Sequence, residues 1–387
     1  MELSSTTAWL ERLVSHETVS RDSNLALIHE VAAFLAEKGA QVELIHNEDQ
    51  RKANCLARLG PERAGGIVLS GHTDVVPVDG QSWSTDPFRV HEEDGRLYGR
   101  GVCDMKGFLS SALATLPTDT SSWRYPLWLA LSYDEAVGCI GAPSMIERLK
   151  GYDKCKPRGV IVGEPTELVS IVGHKGIAAA KTTVRGYETH SSQMDRGVSA
   201  VMVAARLMMK LEALGAELRD AKTDPRFTPA YSTVHVGIVE GGTAVNITAK
   251  DASFTWDVRT IPGQRARDVI DAFEKFAQDE VLPAMVAKHA GCAIHTELLA
   301  DAPGLNAPGS IADSILVETL KTEPGEQYVA YATEAGQFQA AGFDAVIWGP
   351  GSIDQAHQPD EWVSKAQLDG CDSGLRKLHR SLQEERG

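Results

Sequence analysis

The sequence predicts a two-domain α/β protein in which a smaller α+β sandwich is inserted into a larger layer of helices and buried strands. Three observations lead there. At 387 residues the chain exceeds the ~250–300 at which a single hydrophobic core stops growing. Short apolar strands alternate with helical stretches in its first 178 residues. The pattern then changes between 179 and 302 before α/β character resumes from 303 to 387.

Taking the elements in order, AWLERLV and LALIHEVAAFLAEKGA carry apolar residues at helical spacing, the second ending in a Gly stop. QVELIHN, CLARLG, GIVLSGH, LWLALSYD and GVIVGEP are apolar strands, with KGFLSSALATL a helix between them. Strands alternating with helices imply a largely buried sheet. In the insert, KTTVRGYE is a strand and SAVMVAARLMMKLEALGAEL a long amphipathic helix. STVHVGIVEGG and ASFTWDVRT are strands, RARDVIDAFEKFAQDEVL is a helix and AIHTELLA a last strand. The order β-α-β-β-α-β is that of a ferredoxin-like sandwich.

Composition narrows the function. With 43% hydrophobic and 24% charged residues the chain is of ordinary globular type, and its net charge of −15 argues against nucleic acid, which selects basic faces. No apolar run reaches the ~20 residues that span a bilayer, so no membrane partner is expected. The N-terminus lacks a basic segment followed by an apolar core. The six cysteines show no CxxC spacing and read as free thiols of a reducing, cytoplasmic setting.

The chemistry concentrates where apolar runs end. SGHTDVVPVDG places His72 and Asp74 just beyond a strand, at the edge where open α/β sheets build sites. Imidazole ligates metals, and a carboxylate behind it can fix its tautomer. The alternative is a helix-capping Asp beside a surface His. Asp104 in GRGVCDMKG, Glu164 in VIVGEPTE and His357 in DQAHQPDEW follow apolar runs in the same way. Each alone reads as a turn or surface residue. Together they form a hard donor set without thiolates, suited to Zn²⁺, Co²⁺ or Mn²⁺. Cys103 is read as a buried thiol.

HTDVVPVDG, GRGVCDMKG, YDEAVGC, GEPT and AHQPDEW occur in the order and spacing of the M20 family of metallopeptidases and amidohydrolases, and the chain resembles that family along nearly its whole length. GVCDMKG and TEAGQF are most similar to its acetylornithine deacetylase branch. The resemblance implies a zinc-peptidase-like catalytic domain with a mixed sheet (1–178 and 303–387) and a ferredoxin-like lid and dimerisation domain (179–302). It implies Zn²⁺ or Co²⁺ held by His72, Asp104 and Glu164, with Asp104 bridging to a second ion at His357. Asp74 would orient His72. Glu135 would be the general base, and His190 would stabilise the oxyanion across a homodimer. Asn246, Arg259, Gly351 and Ser352 would hold the substrate. Glu334 would either meet a substrate ammonium or be a solvated residue at a helix start. The implied reaction is cleavage of an N-acyl amino acid, N-acetylornithine first. The alternatives are another acyl-amino acid of the succinyl-diaminopimelate kind, or a dipeptide.

In one place the chain departs from the family. The usual Asp-Glu-Glu is Asp134-Glu135-Ala136, and a methyl group coordinates nothing. The expectation is one tight metal site and a weakened second, or a binding protein that hydrolyses poorly. Ala136→Glu should therefore raise metal content from about one ion per chain towards two, the pair ~3.5–4 Å apart, and raise kcat. Metal analysis of both proteins after dialysis checks this; unchanged stoichiometry would mean that another residue has taken the ligand's place.

Overall fold

The computed structural model describes residues 5–384; the outermost residues of the expected catalytic segments, 1–4 and 385–387, lie outside that range. The chain divides into two compact units. One comprises residues 1–173, 305–328 and 333–387, and the other residues 174–304 and 329–332.

The larger unit is built on a nine-stranded sheet. Its order is Gln41–His46, Ala53–Leu59, Leu127–Ser132, Ile67–His72, Gly159–Val162, Ala345–Ile347, Ile171–His174, Leu305–Asn306, with Gln327–Val329 beside Ile171–His174. Leu127–Ser132, Ile67–His72, Gly159–Val162 and Ala345–Ile347 run parallel, while Ala53–Leu59 pairs antiparallel with Leu127–Ser132. The central strands are buried at every position, which explains their unbroken apolar sequence: both faces are covered. Helices Leu25–Glu37, Lys106–Ala114, Ile311–Leu320 and Lys365–Ser381 contribute Ile28, Phe108, Ile315 and Leu375 to the core against Leu129, Ile161 and Val346. Ser5 caps the first helix, Thr6–Val14, by accepting the Ala8 N–H. Gly39 at φ +84° stops the second, as its sequence suggests.

A three-stranded sheet of His91–Glu93, Arg96–Tyr98 and Trp362–Ser364 was not anticipated. Its strands are three residues each, too short to give a period-2 pattern. It pairs Trp362 with Tyr98 and so ties the segment before Asp104 to the segment after His357.

The smaller unit has the strand order Thr233–Gly241, Asp251–Thr260, Gly176–Arg185, Ala293–Ala302, all antiparallel. Strands and helices alternate along the chain as β-α-β-β-α-β, with helices Ala200–Ala221 and Ala266–Phe276. Burial alternates along Gly176–Arg185 and Asp251–Thr260, so Ala180, Val184, Phe254, Trp256 and Val258 face Leu207, Leu211, Ile270 and Phe273. The second helix continues through a π turn, Ala277–Val281, into Leu282–Lys288.

One core group predicts acid sensitivity. His379 is 5% exposed with its ring 5.7 Å from that of Trp123, and burial holds its pKa down to about 4 from 6.5. The unfolded chain binds this proton below about 6.5 and the folded chain resists until about 4. Stability present above that window is lost as pH falls through it. His379→Phe should flatten the fall of the unfolding free energy across this range, read from urea titrations of metal-free protein, by up to about 3 kcal/mol. His174, buried and lowered to about 4 in the same way, contributes in the same direction.

Candidate metal centre

Register decides which side chains meet. Ile67–His72 lies between Leu127–Ser132 and Gly159–Val162, all parallel, with His72 opposite Ser132 and Ser70 opposite Val162. All three therefore end on one edge of the sheet. The first delivers His72, the second runs on to Glu135, and the third to Glu164. Asp104 comes from the turn before Lys106–Ala114, and His357 from the loop before Trp362–Ser364.

His72 Nε2 lies 2.8 Å from Asp104 Oδ1, and His357 Nε2 lies 3.1 Å from Asp104 Oδ2. One carboxylate thus sits between two imidazoles. Glu164 Oε1 is 3.9 Å and Glu135 Oε2 3.8 Å from the same His72 nitrogen. His72, Asp104 and Glu164 offer donor atoms within 4.8 Å of one another and could hold a metal ion. His72 and Glu164 are buried, whereas the His357 side chain is 57% exposed.

The other ring nitrogen of His72 meets the backbone carbonyl of Asp74 at 2.8 Å, with the Asp74 carboxylate at 3.5 Å. The carbonyl is therefore the nearer orienting group. The carboxylate is engaged elsewhere, accepting the backbone N–H groups of Glu135 (3.1 Å) and Ala136 (3.2 Å) and the Ser20 hydroxyl (2.7 Å). It pins the turn. Asp134, at φ +57°, is held by Lys52 at 2.6 Å, and Gly138 and Cys139 donate their N–H groups to the Glu135 carbonyl. The Cys139 thiol donates to Glu135 Oε1 at 3.3 Å.

Charge at this edge is unbalanced. Burial pushes Glu135 up to about 7, with Asp104 and Asp74 adding to it and His72 opposing. Burial raises Glu164 well above the carboxylate range, and Asp104 and Glu135 raise it further. Burial also favours a neutral Asp104, but His357 and His72 outweigh it and hold its pKa down. For His72, burial opposes the charged form, and Asp104 and Asp74 more than compensate. With Nδ1 donating to a carbonyl, a neutral His72 presents only a lone pair at Nε2, and that lone pair faces carboxylate oxygens. A proton or a metal cation resolves such a conflict. Glu164 Oε1, buried and without a hydrogen-bond partner among the described residues, asks for the same.

Glu334 is not a solvated residue at a helix start. It is 1% exposed and receives the Ser132 hydroxyl and, at 3.3 Å, that of Ser70; burial raises it to about 7. Its position beneath the strand ends, behind two serines of apolar strands, is a long-range fact that no local pattern carries. Gly351 and Ser352 lie in the turn fastened to the Glu164 loop, where Glu167 N–H donates to the Gly351 carbonyl at 2.7 Å. Their own N–H groups already go to Gln367 and Gln355, so they can serve a carboxylate only by exchanging partners. His190, Asn246 and Arg259 belong to the other unit. There His190 bridges Ile247 and Ser191 N–H donates to the Asn246 carbonyl at 2.9 Å, which brings His190 and Asn246 together. Arg259 lies on Asp251–Thr260, 3.6 Å from Asp257. Cys103 is a buried thiol.

Residues 68–381 match the model of peptidase family M20/M25/M40. The chain belongs to the M20 family. Among M20 relatives, an acetylornithine deacetylase of Myxococcus xanthus is 35% identical over 379 residues, 96% of this chain and 95% of that one. One from Proteus mirabilis is 34% identical over 349 residues, 90% and 87% of the two. The M20 metallo-carboxypeptidase Sso-CP2 of Sulfolobus solfataricus shares the fold with a TM-score of 0.76 at 18% identity, covering 98% and 99%. Human carnosine dipeptidase 1 does so at 0.74 and 16%, covering 98% and 96%. The M20 chain is thus a metal-dependent hydrolase by family, acting on a small molecule. Among the described residues, no helix is long and apolar enough to cross a membrane.

Proposed function

We propose that this chain hydrolyses the amide bond of an N-acyl amino acid, with N-acetylornithine as its first substrate. The observation that carries this is the 35% identity to an acetylornithine deacetylase along 96% of the chain, joined to the buried His72, Asp104 and Glu164 set. That set fits one divalent ion, Zn²⁺ or Co²⁺: its donors are hard, close together, and include an unpartnered buried oxygen. The second position does not fit as well. His357 and Asp104 face each other there, but Ala136 brings a methyl group, so we assign one tight site and a weakened second.

When bound, the ion polarises the amide carbonyl and lowers the pKa of water. In this reading Glu135 takes the proton of the attacking water and passes it to the leaving nitrogen as the C–N bond breaks. The Asp74 carboxylate steadies Glu135 by holding the turn that bears it. His190 is assigned to the oxyanion, Asn246 to substrate binding, and Arg259 to the α-carboxylate, for which its fork is the natural partner. Gly351 and Ser352 are assigned to the same carboxylate, after the exchange of partners described above. A second reading rests on Ala136: a pocket that binds acyl amino acids and turns them over poorly.

We also infer a homodimer through the smaller unit. Met202 and Met209 on helix Ala200–Ala221 are 66% and 62% exposed, and Ile238 and Val239 on the edge strand Thr233–Gly241 are 57% and 58% exposed. Such a strand, paired on one side only, invites a second copy.

Comparing kcat/KM for acetyl-, succinyl- and dipeptide substrates tests the main reading. N-acetylornithine should lead by about tenfold or more, and turnover near zero with metal bound would favour the binding protein. Arg259→Ala should raise KM about tenfold or more for substrates with a free carboxylate and leave their carboxamides nearly unaffected. Mixing inactive His190→Ala with inactive Glu135→Ala protein should restore part of the activity, since one site of each heterodimer is complete. Verified heterodimers without activity would reject shared sites.

A further inference from the structure

We propose that Arg100 and Glu361 form a positioning pair that sets Asp104 against His357, and so determines how tightly the centre holds its ion. The inference rests on the reading that His72, Asp104 and Glu164 bind a divalent metal.

The observations are geometric. Arg100 and Glu361 are each 1% exposed and meet at 2.7 Å between Nη1 and Oε2. The other oxygen, Glu361 Oε1, accepts the backbone N–H groups of Cys103 at 2.9 Å and Asp104 at 3.2 Å. One carboxylate therefore fixes the peptide that carries the Asp104 side chain. Glu361 stands four residues after His357, and its own carbonyl accepts the Gly99 N–H at 2.9 Å. Arg100 closes the other side. Its guanidinium lies 5.0 Å from the Trp83 ring and donates to Gln81 Oε1, while Gln81 Nε2 donates to the His357 carbonyl at 2.9 Å. His357 occupies the left-handed region at φ +65°, a conformation that needs such support. The pairing of Trp362 with Tyr98 joins the same two segments from outside. A buried ion pair gains little over apolar packing, whereas groups behind metal ligands tune affinity by ~10–100-fold. This pair, 261 positions apart in sequence, joins the two loops that bear Asp104 and His357.

The test compares two double variants of the full chain by equilibrium dialysis with zinc and by the absorption spectrum of the cobalt-loaded protein. Arg100→Met/Glu361→Gln keeps an oxygen for the two N–H groups and loses only the Arg100 hold on Gln81, so it should bind zinc just a few-fold more weakly than the parent. Arg100→Met/Glu361→Met removes it and should bind ~10–100-fold more weakly, with a shifted cobalt spectrum. A role in stability alone would lower the unfolding midpoint of both and leave zinc affinity equal, which would overturn the proposal. Should the second variant fail to fold, Glu361→Asp takes its place with the same expected loss. It keeps a charge beside Arg100 but falls a methylene short of the N–H groups, so parent-like affinity there is equally fatal. A parent that binds no zinc overturns the metal reading along with this one; a parent and variants that bind alike overturn only this one.

Discussion

His72 Nε2 faces buried carboxylate oxygens, so a proton or a metal cation must lie between them, and the strand ends of the larger unit converge on that contact. Three parallel strands ending on one edge bring His72, Glu135 and Glu164 together because the sheet leaves them nowhere else to go. Cationic side chains are few there. Arg100 is committed to Glu361. Lys106, fully buried, donates to the His16 carbonyl at 2.8 Å and has its pKa brought down to about 7 by burial. Neither reaches the carboxylates at the strand ends with a hydrogen bond. Electrostatic need and donor geometry are both compatible with a metal ion held by His72, Asp104 and Glu164.

How legible this was in the sequence depended on whether a signal was local. Strand ends are local: an apolar run followed by His72, Glu135 or Glu164 announces both the strand and what it presents. Asp104 and His357 follow apolar runs too, but alone they read as turn or surface residues and the family's motifs gave them their roles, since nothing in a turn's own composition predicts that it will face a residue 253 positions away. Glu361 lay inside a quoted motif and Arg100 inside another, yet their pairing required the three-stranded sheet, whose strands are too short to read. The solvated reading of Glu334 fails for the opposite reason. Its sequence context resembles an ordinary helix start, and only the sheet shows that two serines shield it from water.

The smaller unit was easier to read because its physics is periodic. One face of each strand packs on helices, so burial alternates along Gly176–Arg185 and Asp251–Thr260. The exception is Thr233–Gly241, at the sheet's edge, where most positions are open to solvent. Apolar side chains at such positions follow no rule of core packing.

The manner in which Asp74 grips the turn has a consequence for how this centre can change. Its carboxylate takes hold of the main chain at Glu135 and Ala136, and a peptide N–H is the same whichever side chain follows it. The mount for Glu135 is therefore blind to the identity of residue 136. A change of side chain there leaves the neighbouring carboxylate anchored in place. On the proposed reading, in which residue 136 bears on the second ion and Glu135 on the proton, the two roles can vary separately within the nine-residue loop between Ser132 and Ala142.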